Sequence, residues 1–172
     1  SMPSDSNTAA KRGRGRKPRP TQVACWAQEN GIPFVEMGNV NTPENIGKIA
    51  AHEPDLIVVI AFGQKISSEL TELPPKGAIN VHASLLPKYR GAAPINWAII
   101  NGETTTGISI ITLAEKMDAG EVLSQAQTDI RPDETAGQLH DRLAELAAPL
   151  LIETIDQIEA GSAVYTEQDH SK

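Results

Sequence analysis

Cysteine is almost missing from these 172 residues. Cys25 stands alone, which excludes an intramolecular disulfide framework and suits a reducing compartment such as the cytoplasm. No apolar run approaches the roughly 18 residues a membrane-spanning helix needs. The N-terminus is polar and then basic, without the apolar centre of a signal peptide. A Gly-rich dinucleotide turn is lacking too, because the stretch Gly13-Arg14-Gly15-Arg16-Lys17 neither follows a strand nor opens a helix. No phosphate loop of the GxxxxGK[ST] type occurs, and no His/Cys/carboxylate spacing resembles a metal site. What is present, 40% apolar and 22% charged residues, fits a soluble globular protein with the length of one domain.

The net charge of −7 argues against nucleic acid only as an average. Lys11, Arg12, Arg14, Arg16, Lys17 and Arg19 crowd six of the fifteen basic residues into nine positions. Residues 1–20 therefore carry +5, and residues 21–172 carry −12. The N-terminal part has almost nothing apolar to bury, so its composition predicts a flexible basic arm over 1–20. Ser1-Met2 reads like a protease-cleavage scar joined to a start codon.

Beyond residue 20 the pattern alternates in type. Thr21–Asn30 has helical spacing, followed by a short strand at Pro33–Val35. Pro43–His52 reads as a helix with Thr42 as N-cap and Pro43 at its first position. The apolar run Leu56–Phe62 suits a strand buried on both faces. Ile66–Leu73 is a short helix, and Gly77–His82 is a strand. Pro94–Asn101 is helical, and Thr106–Leu113 and Val122–Gln127 are strands. Thr135 and Gln138 form a capping box that opens a long helix to about Ala160, with the stripe Leu139, Leu143, Leu146 and Leu150. Pro149 interrupts it as a kink point, and Gly161 ends it. The alternation implies an α/β fold with a Rossmann-like, mostly parallel sheet.

The densest polar constellation is Asn80-Val81-His82-Ala83-Ser84, at the end of a predicted strand, where parallel sheets bind ligands. Alternation puts Asn80, His82 and Ser84 on one side. An amide can steady a developing oxyanion, and an imidazole can move protons near neutral pH, so the pair suits acyl transfer. An isolated Asn-x-His is equally the mark of a strand-end His satisfied by backbone groups. Asp118, in the loop Lys116–Gly120, is a carboxylate able to orient such a His or an ordinary turn residue, with Gly120 allowing a tight turn.

Asn80–Pro94 (NVHASLLPKYRGAAP), with Trp97 and Asn101-Gly102-Glu103 beyond it, resembles the core of the methionyl-tRNA formyltransferase family, within the folate-dependent formyltransferase superfamily. So do Met117–Gly120, Ala61–Gln64 and Thr135–Leu143. The superfamily shares Asn-x-His and the distant Asp. Ala83 stands where glycinamide ribonucleotide transformylases usually carry Pro and amino-sugar formyltransferases often carry Gly, so it leans toward the tRNA enzymes, as does the Arg/Gly-rich arm.

The resemblance implies Asn80, His82 and Asp118 as the catalytic trio. It implies 10-formyltetrahydrofolate as formyl donor, no metal, and the amino group of methionyl-tRNA as acceptor. Phe62, Gly63, Gln64, Ser84, Leu85, Leu86, Pro87, Met117 and Gly120 would line the donor pocket. Lys11, Arg12, Arg14, Arg16, Lys17 and Arg90 would engage tRNA. An amino-sugar formyltransferase with the same trio and a catalytically inactive fragment are the alternatives. The family's opening strand, helix and second strand are not found ahead of the basic loop. The chain therefore divides into an arm over 1–20, a catalytic domain incomplete at its N-terminus over 21–161, and the start of a linker to an absent C-terminal OB-type domain over 162–172. A sheet lacking a central strand would leave edges open to self-association.

Overall fold

The computed structural model describes residues 20–169 and 171, together with the backbone of residues 4–7. Two compact units result, Ser1–Asp55 with Phe62–Pro74, and Leu56–Ala61 with Pro75–Lys172.

In the first unit, β1 (Ser4–Asn7) pairs in parallel with β2 (Phe34–Met37), Ser4 opposite Phe34 and Asn7 opposite Met37. Ser4–Asn7 thus departs from the flexible arm expected over 1–20. Composition reports what side chains can bury, whereas a ladder draws only on main-chain N–H and C=O groups that every residue except proline carries in full. Between the strands runs α1 (Gln22–Glu29), where the Thr21 hydroxyl accepts from Ala24 N at 3.1 Å. After β2, α2 (Pro43–Ala50) starts as its sequence dictates, with Thr42 accepting from Asn45 N and Pro43 in the first turn. The helix expected over Ile66–Leu73 shortens to one turn, α3 (Ser68–Thr71), capped by Ser67. Met37, Val40, Ile46 and Leu70 form the core, with Phe62 and Ile66 packed against it.

The second unit holds β3 (Ile57–Ile60), β4 (Ala78–His82), α4 (Pro94–Ile100), β5 (Thr105–Thr112), β6 (Val122–Asp129) and α5 (Ala136–Ala160). Its sheet order is β3-β4-β5-β6. Only β3 and β4 run parallel, whereas β4–β5 and β5–β6 are antiparallel. The α/β class stands, but the sheet is mixed rather than mostly parallel. Hydrophobic period identifies a strand without giving its direction, and β5 and β6 are joined by a loop without the helix a parallel crossover uses. In β5 every residue from Thr106 to Ile111 is buried, which makes it the central strand. Along β6 exposure alternates, as for a sheet with one wet face. The apolar run in β3 is not buried on both faces. Ile57 and Val59 are half-buried, while Val58 and Ile60 are exposed.

One core joins sheet and long helix: Ile79, Ile108 and Ile110 against Leu139, Leu143 and Ile158. Each fully buried leucine there contributes about 1.5–3 kcal/mol. The capping box fixes where α5 begins. Thr135 Oγ1 accepts from Gln138 N at 3.2 Å, and Thr135 N donates to Gln138 Oε1 at 3.0 Å. Gly107 sets how closely β5 meets its surroundings. A Cβ there would stand 2.1 Å from the Ala126 carbonyl oxygen and 2.6 Å from Leu85 Cδ2, so the missing side chain is what seats Leu85.

Candidate active site

The end of β4 carries the polar pair that alternation predicts. In register, Asn80 faces Ile111 and His82 faces Ser109 across the β4–β5 ladder. The His82 side chain is only 8% exposed. Its Nε2 lies 2.8 Å from the Tyr89 carbonyl oxygen. A carbonyl only accepts, so this nitrogen carries the hydrogen. The other ring nitrogen, Nδ1, faces Asp118 Oδ2 at 3.6 Å.

Asp118 reaches the strand from the loop between β5 and β6. Its backbone takes a left-handed φ of +50°, which Asp tolerates better than most residues. The carboxylate then serves three elements at once. Oδ1 accepts from Asn80 Nδ2 at 3.4 Å, and Oδ2 accepts from Gly91 N at 2.8 Å while facing the imidazole. Asn80, His82 and Asp118 are therefore one cluster.

The segment after β4 folds back over this cluster on its own hydrogen bonds. Ser84, fully buried, donates from Oγ to Lys88 O at 2.6 Å. Ser109 Oγ donates to Ser84 O at 2.6 Å and accepts from Leu86 N and Gln125 Nε2. Gln125 also donates to Leu86 O. Tyr89, Gly91 and Ala93 alternate into positive φ, at 57°, 88° and 57°. The Tyr89 hydroxyl donates to Glu103 Oε1 at 2.8 Å and accepts from Asn101 Nδ2 at 3.1 Å. That Tyr89 hydrogen bond, followed by the one from Lys88, holds the Glu103 carboxyl below its ordinary range.

The remaining residues singled out in the sequence fall in different places. Leu86 is buried, Leu85 and Pro87 are half-buried, and Met117 is exposed. Gly120 is needed for space rather than for a positive φ. A Cβ there would lie 1.8 Å from the Thr112 carbonyl oxygen, and it is Asp118 that takes the left-handed turn. Arg90 donates through Nε and Nη2 to Gln168 Oε1, at 3.1 and 2.8 Å. Phe62, Gly63 and Gln64 belong to the first unit. There Phe62 packs against the core, and Gln64 joins two loops by donating to Gly38 O and accepting from Val40 N. Lys11, Arg12, Arg14, Arg16 and Lys17 lie outside the described residues. Among the described residues no group of three or more His, Cys, Asp or Glu side chains could hold a metal ion, and no helix is long and apolar enough to cross a membrane.

Sequence reasoning missed Tyr89, Gly91, Ser109, Gln125 and Gln168. The first two meet His82 and Asp118 through backbone atoms, which no side-chain pattern encodes. Ser109 had a usable signal, a lone hydroxyl inside the apolar strand Ile108–Ile111. Gln168 sits in the segment expected to begin a linker. In the structure Thr166 and Val122 exchange backbone hydrogen bonds at 2.8 and 2.9 Å.

The sequence pattern described as formyl transferase matches residues 4–155. The chain belongs to the formyl transferase family. Among curated formyl transferases, the methionyl-tRNA formyltransferase of Trichlorobacter lovleyi is 50% identical over 161 residues, covering 94% of this chain and 51% of the relative. That of Geobacter sulfurreducens is 48% identical over 160 residues. The chain spans about half the length of the curated relatives it matches. Of solved structures, glycinamide ribonucleotide transformylase 1 from Symbiobacterium toebii has the same fold, with a TM-score of 0.74 at 19% identity over 83% of this chain and 73% of that one. HypX from Aquifex aeolicus, solved in complex with tetrahydrofolic acid, has a TM-score of 0.67 at 24% identity, covering 84% of this chain and 25% of the other.

Proposed function

We propose that this chain is the catalytic portion of a methionyl-tRNA formyltransferase, which moves the formyl group of 10-formyltetrahydrofolate to the amino group of methionyl-tRNA. The observation that carries the reading is the convergence of Asn80 and His82 on the Asp118 carboxylate, in a chain half identical to enzymes of that name. The amine nitrogen attacks the formyl carbon, and the carbonyl oxygen becomes an oxyanion. Asn80 directs one amide hydrogen at Asp118 and has a second to give the oxyanion. His82, held on its Nδ1 side by Asp118, would stand beside it and take part in the proton movements. As the tetrahedral centre collapses, the C–N bond to the folate breaks, the folate nitrogen gains a proton, and the amine gives one up. His82 and water relay that proton. Such a transfer needs no metal.

Arg90 and the arm residues Lys11, Arg12, Arg14, Arg16 and Lys17 would contact tRNA phosphates, and the donor would lie against Leu85, Leu86, Pro87, Met117 and Gly120. The setting would be the cytoplasm. The exposed Val58 and Ile60 on β3 favour self-association of the 172-residue chain.

The test is a formyl-transfer assay on a protein of the relatives' full length, offering methionyl-tRNA and a nucleotide-linked amino sugar side by side. We expect formylation of the tRNA and its abolition by Asn80→Ala or His82→Ala. Unchanged turnover in either variant, or preference for the sugar, overturns the assignment.

A further inference from the structure

Gln168 is 6% exposed, yet its side-chain amide has all of its ordinary hydrogen-bonding capacity in use. Nε2 donates to Asp118 O and to Gly120 O, each at 2.8 Å. Oε1 accepts from Arg90 Nε and Nη2, at 3.1 and 2.8 Å. Two donors and two lone pairs are what an amide offers. Glu at this position lacks the donors, Lys lacks an acceptor, and Leu leaves two carbonyls and a guanidinium without these partners. The two segments held, Arg90-Gly91 and Asp118–Gly120, are the same two that meet where Gly91 N donates to Asp118 Oδ2. Asp118 also sits at a φ of +50°, a conformation that persists only when its surroundings over-determine it.

We infer that Gln168 is a positioning residue for Asp118. It touches no reacting atom. By clamping the carbonyls on either side of the Asp118–Gly120 turn and tying them to Arg90, it holds the carboxylate against His82 and Asn80. The inference rests on the proposed formyl transfer for its kinetic consequence, but its structural part stands apart from that reading.

A double-mutant cycle between Gln168→Leu and Asp118→Asn, in the full-length protein, tests it. We expect Gln168→Leu to lower kcat at least tenfold. In the Asp118→Asn background the same substitution should cost less than twofold, because its route to the chemistry is already broken. An equal loss in both backgrounds, or an unchanged kcat, overturns the inference. Gln168→Glu, which keeps the volume and the Arg90 partner, serves as a second variant and should lose activity in the same way.

The readout independent of activity is hydrogen exchange at the Gly91 amide in the 172-residue chain, which should quicken at least tenfold in Gln168→Leu or Gln168→Glu. Exchange as slow as in the parent overturns the inference. If the full-length protein forms no formyl-methionyl-tRNA at all, the proposed function fails, and the Gly91 exchange rate still decides the role of Gln168.

Discussion

Gly120 lies so close to Thr112 that a methyl group cannot stand between them. An ideal Cβ would sit 1.8 Å from the Thr112 carbonyl oxygen and 2.8 Å from Oγ1. The contact joins the end of β5 to the loop that presents Asp118, and Thr112 also exchanges hydrogen bonds with Glu121. Gly120→Ala must push the loop outward or break that pairing. We expect a loss of about 1–3 kcal/mol, typical of forcing volume into a packed site, visible as a lower thermal midpoint. The amide resonances of Gly91 and Asp118 should shift as the clamp moves. A variant with the parent's midpoint and spectrum would contradict the geometry.

Asp118→Asn separates charge from shape. Asn tolerates the left-handed backbone, and its carbonyl oxygen still accepts from Gly91 N. What disappears is the negative charge beside His82 and the acceptor for Asn80 Nδ2, which the new amide nitrogen cannot replace. We expect a measurable loss of stability as well, since the two side chains are only 8% and 12% exposed and the change leaves buried partners of the carboxylate unpaired. Turnover should fall by roughly 10²- to 10⁴-fold, the range of a lost proton-handling group. Equal turnover in a steady-state assay would remove Asp118 from the chemistry.

Acid should find one identifiable weak point. Glu134 accepts from Arg142 Nε at 2.6 Å and Nη2 at 2.8 Å, and from Arg131 N at 3.1 Å. Chiefly through the Arg142 hydrogen bond, its carboxyl is lowered from 4.5 to about 2. A folded-state value below the unfolded one means that the pair stabilises fully above pH 4.5 and loses its contribution as pH falls toward 2. Arg142 also donates to Thr128 Oγ1 and Asp129 O, so the pair fastens the end of β6 to α5. Urea unfolding between pH 7 and pH 2.5 should give Glu134→Gln a constant deficit at neutral pH that closes below pH 4.5. A deficit unchanged down to pH 2.5 would refute the assignment.

Salt should discriminate the proposed tRNA contacts from the chemistry. Replacing Lys11, Arg12, Arg14, Arg16 and Lys17 by Ser should weaken tRNA binding and flatten the slope of log affinity against log salt, since each phosphate contact releases counterions. Affinity for the folate donor should not change. Filter binding at several salt concentrations reads the first, and calorimetry the second.

Much of this was legible because much of it is local. Thr42-Pro43 and the Thr135/Gln138 box carry their helix starts in a few adjacent residues, and the helices begin there. Asn80 and His82 share a face because a strand alternates. Asp118 was readable only through family resemblance, since no local rule brings together residues 38 positions apart. Strand direction was not encoded in hydrophobic period, so β5 and β6 came out antiparallel. β1 escaped because Ser4–Asn7 pairs through its backbone alone. Gln168 was invisible for a related reason. A glutamine in a polar stretch looks like surface until the fold brings two carbonyls and a guanidinium to it.

That glutamine also sets an order in time. Asp118 precedes Gln168 by 50 residues, and translation proceeds at about 5–20 residues per second, N-terminal parts first. Strands β3 to β6 therefore emerge several seconds before the residue that clamps their active loop. During synthesis Asn80 and His82 can be in register on β4 while Asp118 is still unfastened. The nascent chain acquires its sheet first, and its assembled site only when the segment after α5 returns to Val122.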